Sequence, residues 1–105
     1  MRTKGTVVVM YDAPAEADAW MHGPHYDEVN ATTGVTAVRR YEVLEGPAGC
    51  RRYIALIESD DIEATIAWRS SPDGARSQAE ANARGVSNRY AVVCRRIYSS
   101  APGEA

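Results

Sequence analysis

Phenylalanine is absent from the 105 residues, and cysteine and histidine occur only twice each. Six tyrosines and two tryptophans supply all the aromatic surface. Each of those rings carries a polar atom that needs a partner once buried. Two cysteines, Cys50 and Cys94, cannot make a disulfide framework, and their spacing fits no metal motif. They read as small strand residues that stay reduced. Neither charge sign dominates: 12 basic residues stand against 14 acidic ones, for a net charge of −2. The basic surplus of a nucleic-acid binder is missing. The apolar run in "MRTKGTVVVMYDAP" is too short for a secretory core or a membrane span, so a cytoplasmic protein without membrane contact is expected. No Gly-x-Gly-x-x-Gly, P-loop or serine elbow occurs, and no cofactor is expected.

What is present is regular. The length predicts one domain over 1–105, with its core at about 5–98 and a frayed polar tail at 99–105. "TVVVMY" (6–11) is a β-branched run, giving a strand near 5–11. Residues 14–31 read helical. "VTAVRRYEVL" predicts a strand near 35–45, "EGPAG" a turn, and "CRRYIALIES" a second strand near 50–58, making a hairpin. "DDIEATIAW" opens with acids at a helix start and predicts a helix at 60–69. "SSPDG" interrupts it, "ARSQAEANAR" predicts a shorter helix at 75–84, and "RYAVVCRRIY" a last strand near 88–98. The order β-α-β-β-α-β predicts an α+β, ferredoxin-like fold. Its four-stranded antiparallel sheet would carry both helices on one face, with the first strand between the third and fourth. Cys50 and Cys94 then cannot bond. Val7–Met10 and Ile54–Ile57 are continuous apolar runs rather than alternating ones, so both sheet faces are apolar. The face without helices needs a cover, and a second copy supplies one by isologous pairing into a homodimer.

Both histidines lie in "AWMHGPHYDEV" (19–29), with Gly23 and Pro24 between them. Proline inside a helix costs a hydrogen bond and clashes with the preceding turn, but it is comfortable at a first helical position. The expectation is a joint, with Gly23 closing one turn and Pro24 opening the next. His25 would then sit near exposed N–H groups that disfavour imidazolium, and could act as a neutral acid/base at a carbonyl. His22 would end the preceding turn and face solvent, or touch a ligand. The two histidines are three apart, as metal ligands on one helical face can be, with Asp18 or Glu28 to complete a set. Pro24 disturbs that spacing and no third histidine exists, so no metal is expected. A haem reading would make His25 an axial ligand facing an apolar cavity.

Four segments carry a family resemblance. They are "VVVMYDAP", the Trp20-to-His25 helix "WMHGPHYDEV", the strand "GVTAVRRYEV", and the strand-to-helix junction "RRYIALIESDD". Over residues 5–98 the chain resembles the dimeric α+β barrel superfamily, especially its small EthD-like members. "PHYDE" departs from the family's usual His-Ile-Pro-Glu by placing the proline first. The resemblance implies a homodimer with a cleft between sheet and helices that takes small aromatic or polyketide-like ligands. Activities in such barrels include cofactor-free monooxygenation, polyketide cyclisation, isomerisation and decarboxylation. The expected function is cofactor-independent proton transfer beside a carbonyl, with His25 as acid/base and Tyr11, Tyr41 or Tyr53 bonding the developing enolate. Cofactor-free oxygenation and non-catalytic ligand binding are the alternatives. Trp20, Trp68, Arg40 and His22 are the expected substrate contacts. Of the arginine pairs, Arg40 and Arg52 are expected to point inward, with Glu58 and Asp60 as partners. A ring-sized cavity beside His25 would separate enzyme from binding module.

Overall fold

The computed structural model describes residues 3–104. β1 (Gly5–Asp12), α1 (residues 15–30), β2 (Val35–Glu42), β3 (Tyr53–Ser59), α2 (Ile62–Arg69), α3 (Pro72–Ala83) and β4 (Ser87–Cys94) follow in chain order. The strands form one antiparallel sheet in the order β2-β3-β1-β4, with β1 between β3 and β4. The α+β, ferredoxin-like arrangement is therefore as expected. Both cysteines are free. No helix among the described residues is long and apolar enough to cross a membrane.

Three strand ends differ from expectation. β2 stops at Glu42 and β3 starts at Tyr53 because the Gly46-Pro47 turn lets only one further rung form, Val43 N–H to Arg52 O at 2.7 Å. β4 ends at Cys94, opposite Thr6, where β1 is running out, so residues 95–98 have no strand to pair with. In the other direction, α3 starts three residues early. "SSPDG" is a helix start rather than a break: Ser71 caps Gly74 N–H at 3.2 Å, Pro72 takes the first helical position, and Asp73 meets the positive end of the dipole. Gly74 is required there. A Cβ would lie 2.2 Å from Trp68 O, because the new helix starts against the end of α2.

Strand alternation sorts the side chains. Val7, Val9 and Tyr11 of β1 and Tyr53, Ala55 and Ile57 of β3 are buried under the helices. Trp20, Met21 and Val29 of α1, Ile62 of α2 and Ala81 of α3 close that core. Burying one such aliphatic side chain is worth about 2 kcal/mol. The opposite face holds Val8, Met10, Ile54 and Leu56, all partly exposed, flanked by Tyr41, Tyr90 and Val92. Both faces are apolar, as the continuous runs require.

Candidate functional site

The helix carrying the histidines does not break. α1 runs through a 3₁₀ turn (Ala15–Ala17), an α turn (Asp18–Trp20), a π turn (Met21–His25) and a final α segment (Tyr26–Asn30). Pro24 sits inside the π turn, and Tyr26 N–H reaches back to Met21 O, five residues away. The wider turn takes the proline ring without ending the helix, so the expected joint is a π-bulge, a feature common at functional sites. His25 consequently has no helix N-terminus behind it. Its imidazole is still held below the ordinary value, with burial as the first cause and the Arg89 cation adding to it, against Glu28 and Glu80. The expected neutrality stands; the expected cause does not.

The His25 ring stacks on Trp20 with centroids 4.6 Å apart. Its Nδ1 lies 3.0 Å from Oγ of Ser77, a buried serine on α3. The Ser77 hydroxyl also helps lower the Glu28 carboxyl, after the Arg76 guanidinium at 2.6 Å. In the tautomer that donates Nδ1–H to Ser77 Oγ, the Nε2 lone pair is free.

The ring stands between two hollows. The inner one, about 50 Å³, is mostly apolar and includes Tyr11, Met21, Tyr26, Ile57, Val86 and Arg89 in its wall. The outer one, about 120 Å³, is polar and bounded by Trp20, Pro24, Glu28, Arg76, Ser77 and Glu80. An apolar cavity of roughly 150 Å³ holds benzene. The inner hollow is therefore smaller than the ring-sized cavity expected beside His25, and it is far too small for a haem. Among the described residues no three His, Cys, Asp or Glu side chains gather as a metal site.

A polar cluster continues from the inner wall. Arg40 donates from Nε to the Tyr11 hydroxyl at 2.7 Å and from Nη1 to Asp18 at 2.8 Å. His22 Nε2 is 2.9 Å from the same Nη1. The guanidinium lies over the Tyr53 ring, 4.3 Å from its centroid. Tyr11 OH also meets Met21 Sδ at 3.0 Å and Tyr26 OH at 3.3 Å. Burial, with Tyr11 next, drives the Tyr26 phenol far above its usual range. The Arg40 side chain is 9% exposed. Its Nη2 is a buried side-chain donor without a partner. Because Nε–H and Nη2–H of the planar fork point the same way, that free donor lies beside the Tyr11 hydroxyl.

Several expectations need correction. Arg40 points inward as expected, but Asp18 is its partner, not Glu58 or Asp60; Glu58 pairs with Arg39 instead. Arg52 is exposed, one residue out of step with inward Tyr53. Tyr41 pairs with Ile54 on the face away from the helices and is 50% exposed, so this chain's cleft does not contain it. His22 is exposed but bonded to Arg40 rather than free in solvent. Trp68 packs on the core without lining either hollow. Tyr26, Ser77 and Arg89 were missed, and Glu28, considered only as a metal ligand, pairs with Arg76 instead. One signal was available for Ser77: it shares the buried stripe Gly74, Ser77, Ala81 on an alanine-rich helix, where a hydroxyl needs a partner.

No family model matches the chain, and no curated protein matches it in sequence. Solved structures do. A dimeric ferredoxin-like protein of unknown function from Thermobifida fusca aligns with TM-score 0.66 and 12% identity, over 91% of this chain and 93% of the other. An EthD family protein from Bacillus halodurans aligns with TM-score 0.62 and 12% identity, over 90% and 100%. A candidate antibiotic biosynthesis monooxygenase from Deinococcus radiodurans aligns with TM-score 0.64 and 13% identity, over 90% and 94%. At these identities the likeness establishes the fold. It agrees with the resemblance carried by the four sequence segments.

Proposed function

We propose that the protein is a cofactor-independent acid–base enzyme that moves a proton beside the carbonyl of a small oxygenated substrate, the step underlying cyclisation, isomerisation or decarboxylation. One observation carries this reading: the His25 imidazole, bonded through Nδ1 to Ser77, and the Tyr11 hydroxyl, held by Arg40, line the same apolar hollow. His25 takes the α-proton. The oxygen that gains charge receives the Tyr11 hydroxyl, and the Arg40 cation bonded to that hydroxyl is in place behind it before the charge develops. Asp18 and His22 hold Arg40, and Tyr53 supports its flat face. Neither hollow alone takes a ring, so the substrate of this reading is a small carbonyl compound without one. The Deinococcus likeness favours a second reading, oxygenation of the same carbanion without a cofactor. The smallness of the inner hollow favours a third, ligand binding without chemistry. The chain works as a homodimer that covers its open apolar face with a second copy, supported by half-exposed Tyr41 and Val92 there and by the dimeric neighbour.

Acetylacetone in D₂O tests the chemistry, with α-proton exchange read by NMR. The wild type accelerates exchange; His25→Asn loses about 10²-fold or more of that acceleration, and Tyr11→Phe about tenfold. Full acceleration in His25→Asn removes the His25 assignment, and no acceleration by the wild type leaves a binding module.

A further inference from the structure

Four arginines among the described residues are half-buried: Arg40, Arg51, Arg69 and Arg89. Arg40 has Asp18, and Arg51 lies in the field of Asp12. The other two have no carboxylate. Arg89 bonds only the neutral Asn82 amide, Nη2 to Oδ1 at 3.0 Å. The Arg69 guanidinium makes no hydrogen bond or ion pair among the described residues, although Arg69, the last residue of α2, is half-buried. Burial lowers both guanidinium pKa values, and Arg69 is lowered further by Arg89 itself. Two half-buried cations thus lie within each other's field with no carboxylate partner among the described residues, a costly arrangement that an anion would relieve. Arg89 also lies in the wall of the inner hollow beside Val86 and Ala81.

We infer that Arg89, in the wall of the inner hollow, seats a carboxylate, with the Arg69 cation adding to its field, and that the ligand is an organic acid with an apolar, oxygen-bearing body. This rests on the hollow beneath His25 being a ligand site, whether or not chemistry occurs there. The carboxylate takes the guanidinium donors that no protein group uses, with Asn82 orienting Arg89. The apolar body lies along Val86, Ala81 and Ile57, and its carbonyl end reaches toward Tyr11 and Arg40. The two ends are divided by charge: the paired arginine, Arg40, stands behind the Tyr11 hydroxyl that meets an oxygen gaining charge in the reaction, and unpaired Arg89 holds one that is charged throughout. The walls between them are apolar, which selects an organic acid over an inorganic anion.

Levulinate and 2,5-hexanedione test this. They share a ketone and differ in carrying a carboxylate or a neutral acetyl group. Dissociation constants come from NMR titration of the full chain, with inorganic phosphate as a third probe. Wild type binds levulinate about tenfold or more tighter than hexanedione, as a charge-assisted seat requires. Arg69→Gln/Arg89→Gln binds the two alike, Arg89→Lys keeps a reduced preference, and Arg96→Gln, which alters an arginine paired with Glu104, changes nothing. If the double variant does not fold, Arg69→Gln alone reduces the preference about threefold or more. Equal binding in wild type, no saturable levulinate shift, a preference that survives the double variant, or phosphate binding as tight as levulinate each overturns the seat. Failure here leaves the acetylacetone result untouched. A seat that holds while the wild type does not accelerate exchange removes the enzyme and keeps the ligand.

Discussion

The tripeptide Arg-Arg-Tyr occurs at 39–41 in β2 and at 51–53 leading into β3, on neighbouring antiparallel strands, and the sheet uses the two copies in opposite ways. In the first, Arg40 turns under the helices and Tyr41 faces away. In the second, Tyr53 turns under the helices and Arg52 stays exposed. Register explains the reversal. Arg40 pairs with Ala55 and Glu42 with Tyr53, so Arg40 and Tyr53 are diagonal neighbours on one face, and the guanidinium lies on the phenol ring. A shift of one residue in either strand would turn that strand's two side chains to the opposite faces. The same three letters thus supply an inward cation from one strand and the aromatic bed for it from the other.

The largest expected effect sharpens this contrast at the tyrosines. Tyr53 is 8% exposed and stacks on Tyr11 with centroids 5.7 Å apart. Tyr53→Ala leaves a cavity under the helices and costs about 3–4 kcal/mol in urea unfolding. Tyr41→Ala costs less than about 1 kcal/mol at the level of the single chain. Its effect falls on association instead: sedimentation shows the dimer dissociation constant rising roughly tenfold. Equal losses at both positions would mean that the two faces are not distinguished as the register requires.

The arginines give the next effect. Arg40→Met keeps a stem over Tyr53 but removes the charge-assisted bonds to Tyr11 and Asp18. Asp18 is well enough exposed to rehydrate, and the unpartnered Nη2 disappears with the guanidinium, so the cost is about 1–2 kcal/mol. Arg52→Met stays within about 0.5 kcal/mol. In the exchange assay Arg40→Met lowers the rate while Arg52→Met does not. A stable Arg40→Met chain with full exchange would reduce the Arg40 cluster to packing.

The tripeptides also mark how far the sequence could be read. Element order, sheet order and the two apolar faces followed from composition and periodicity, because burial on both sides leaves long β-branched runs. Parity did not follow, since "RRY" is the same string in both strands and only cross-strand pairing decides which way it points. The partner of Arg40 was missed for the same kind of reason. Asp18 lies 22 residues away on a helix whose turns could not be counted while Pro24 was taken for a break. Arg89 looked like one more strand arginine. Its standing comes from an absence, the lack of any carboxylate near it, and a linear sequence does not display that.

The smallest expected effect concerns the π turn, which does for His25 what register does for the tyrosines. At about 100° per residue, Trp20 and Val29 would fall on opposite sides of a regular α-helix. The extra residue in the π turn brings both onto the core, where each is buried. The bulge is therefore held from both ends by packing, and Pro24 occupies it without causing it. Pro24→Ala changes stability by less than about 1 kcal/mol, keeps the π turn, and leaves the His25 imidazole titrating below its ordinary value of 6.5, because burial rather than a helix end sets that value. The sign follows from linkage: an imidazole whose folded pKa is lowered contributes stability that is complete above about pH 6.5 and is lost as pH falls through the lowered value. Wild type and Pro24→Ala thus lose stability alike between pH 7 and 5, and His25→Gln loses less over that interval. NMR titration of the imidazole with urea unfolding at several pH values measures both. If Pro24→Ala brings the imidazole back to its ordinary value, the proline itself aims the ring, and the packing of Trp20 against Val29 does not hold the bulge.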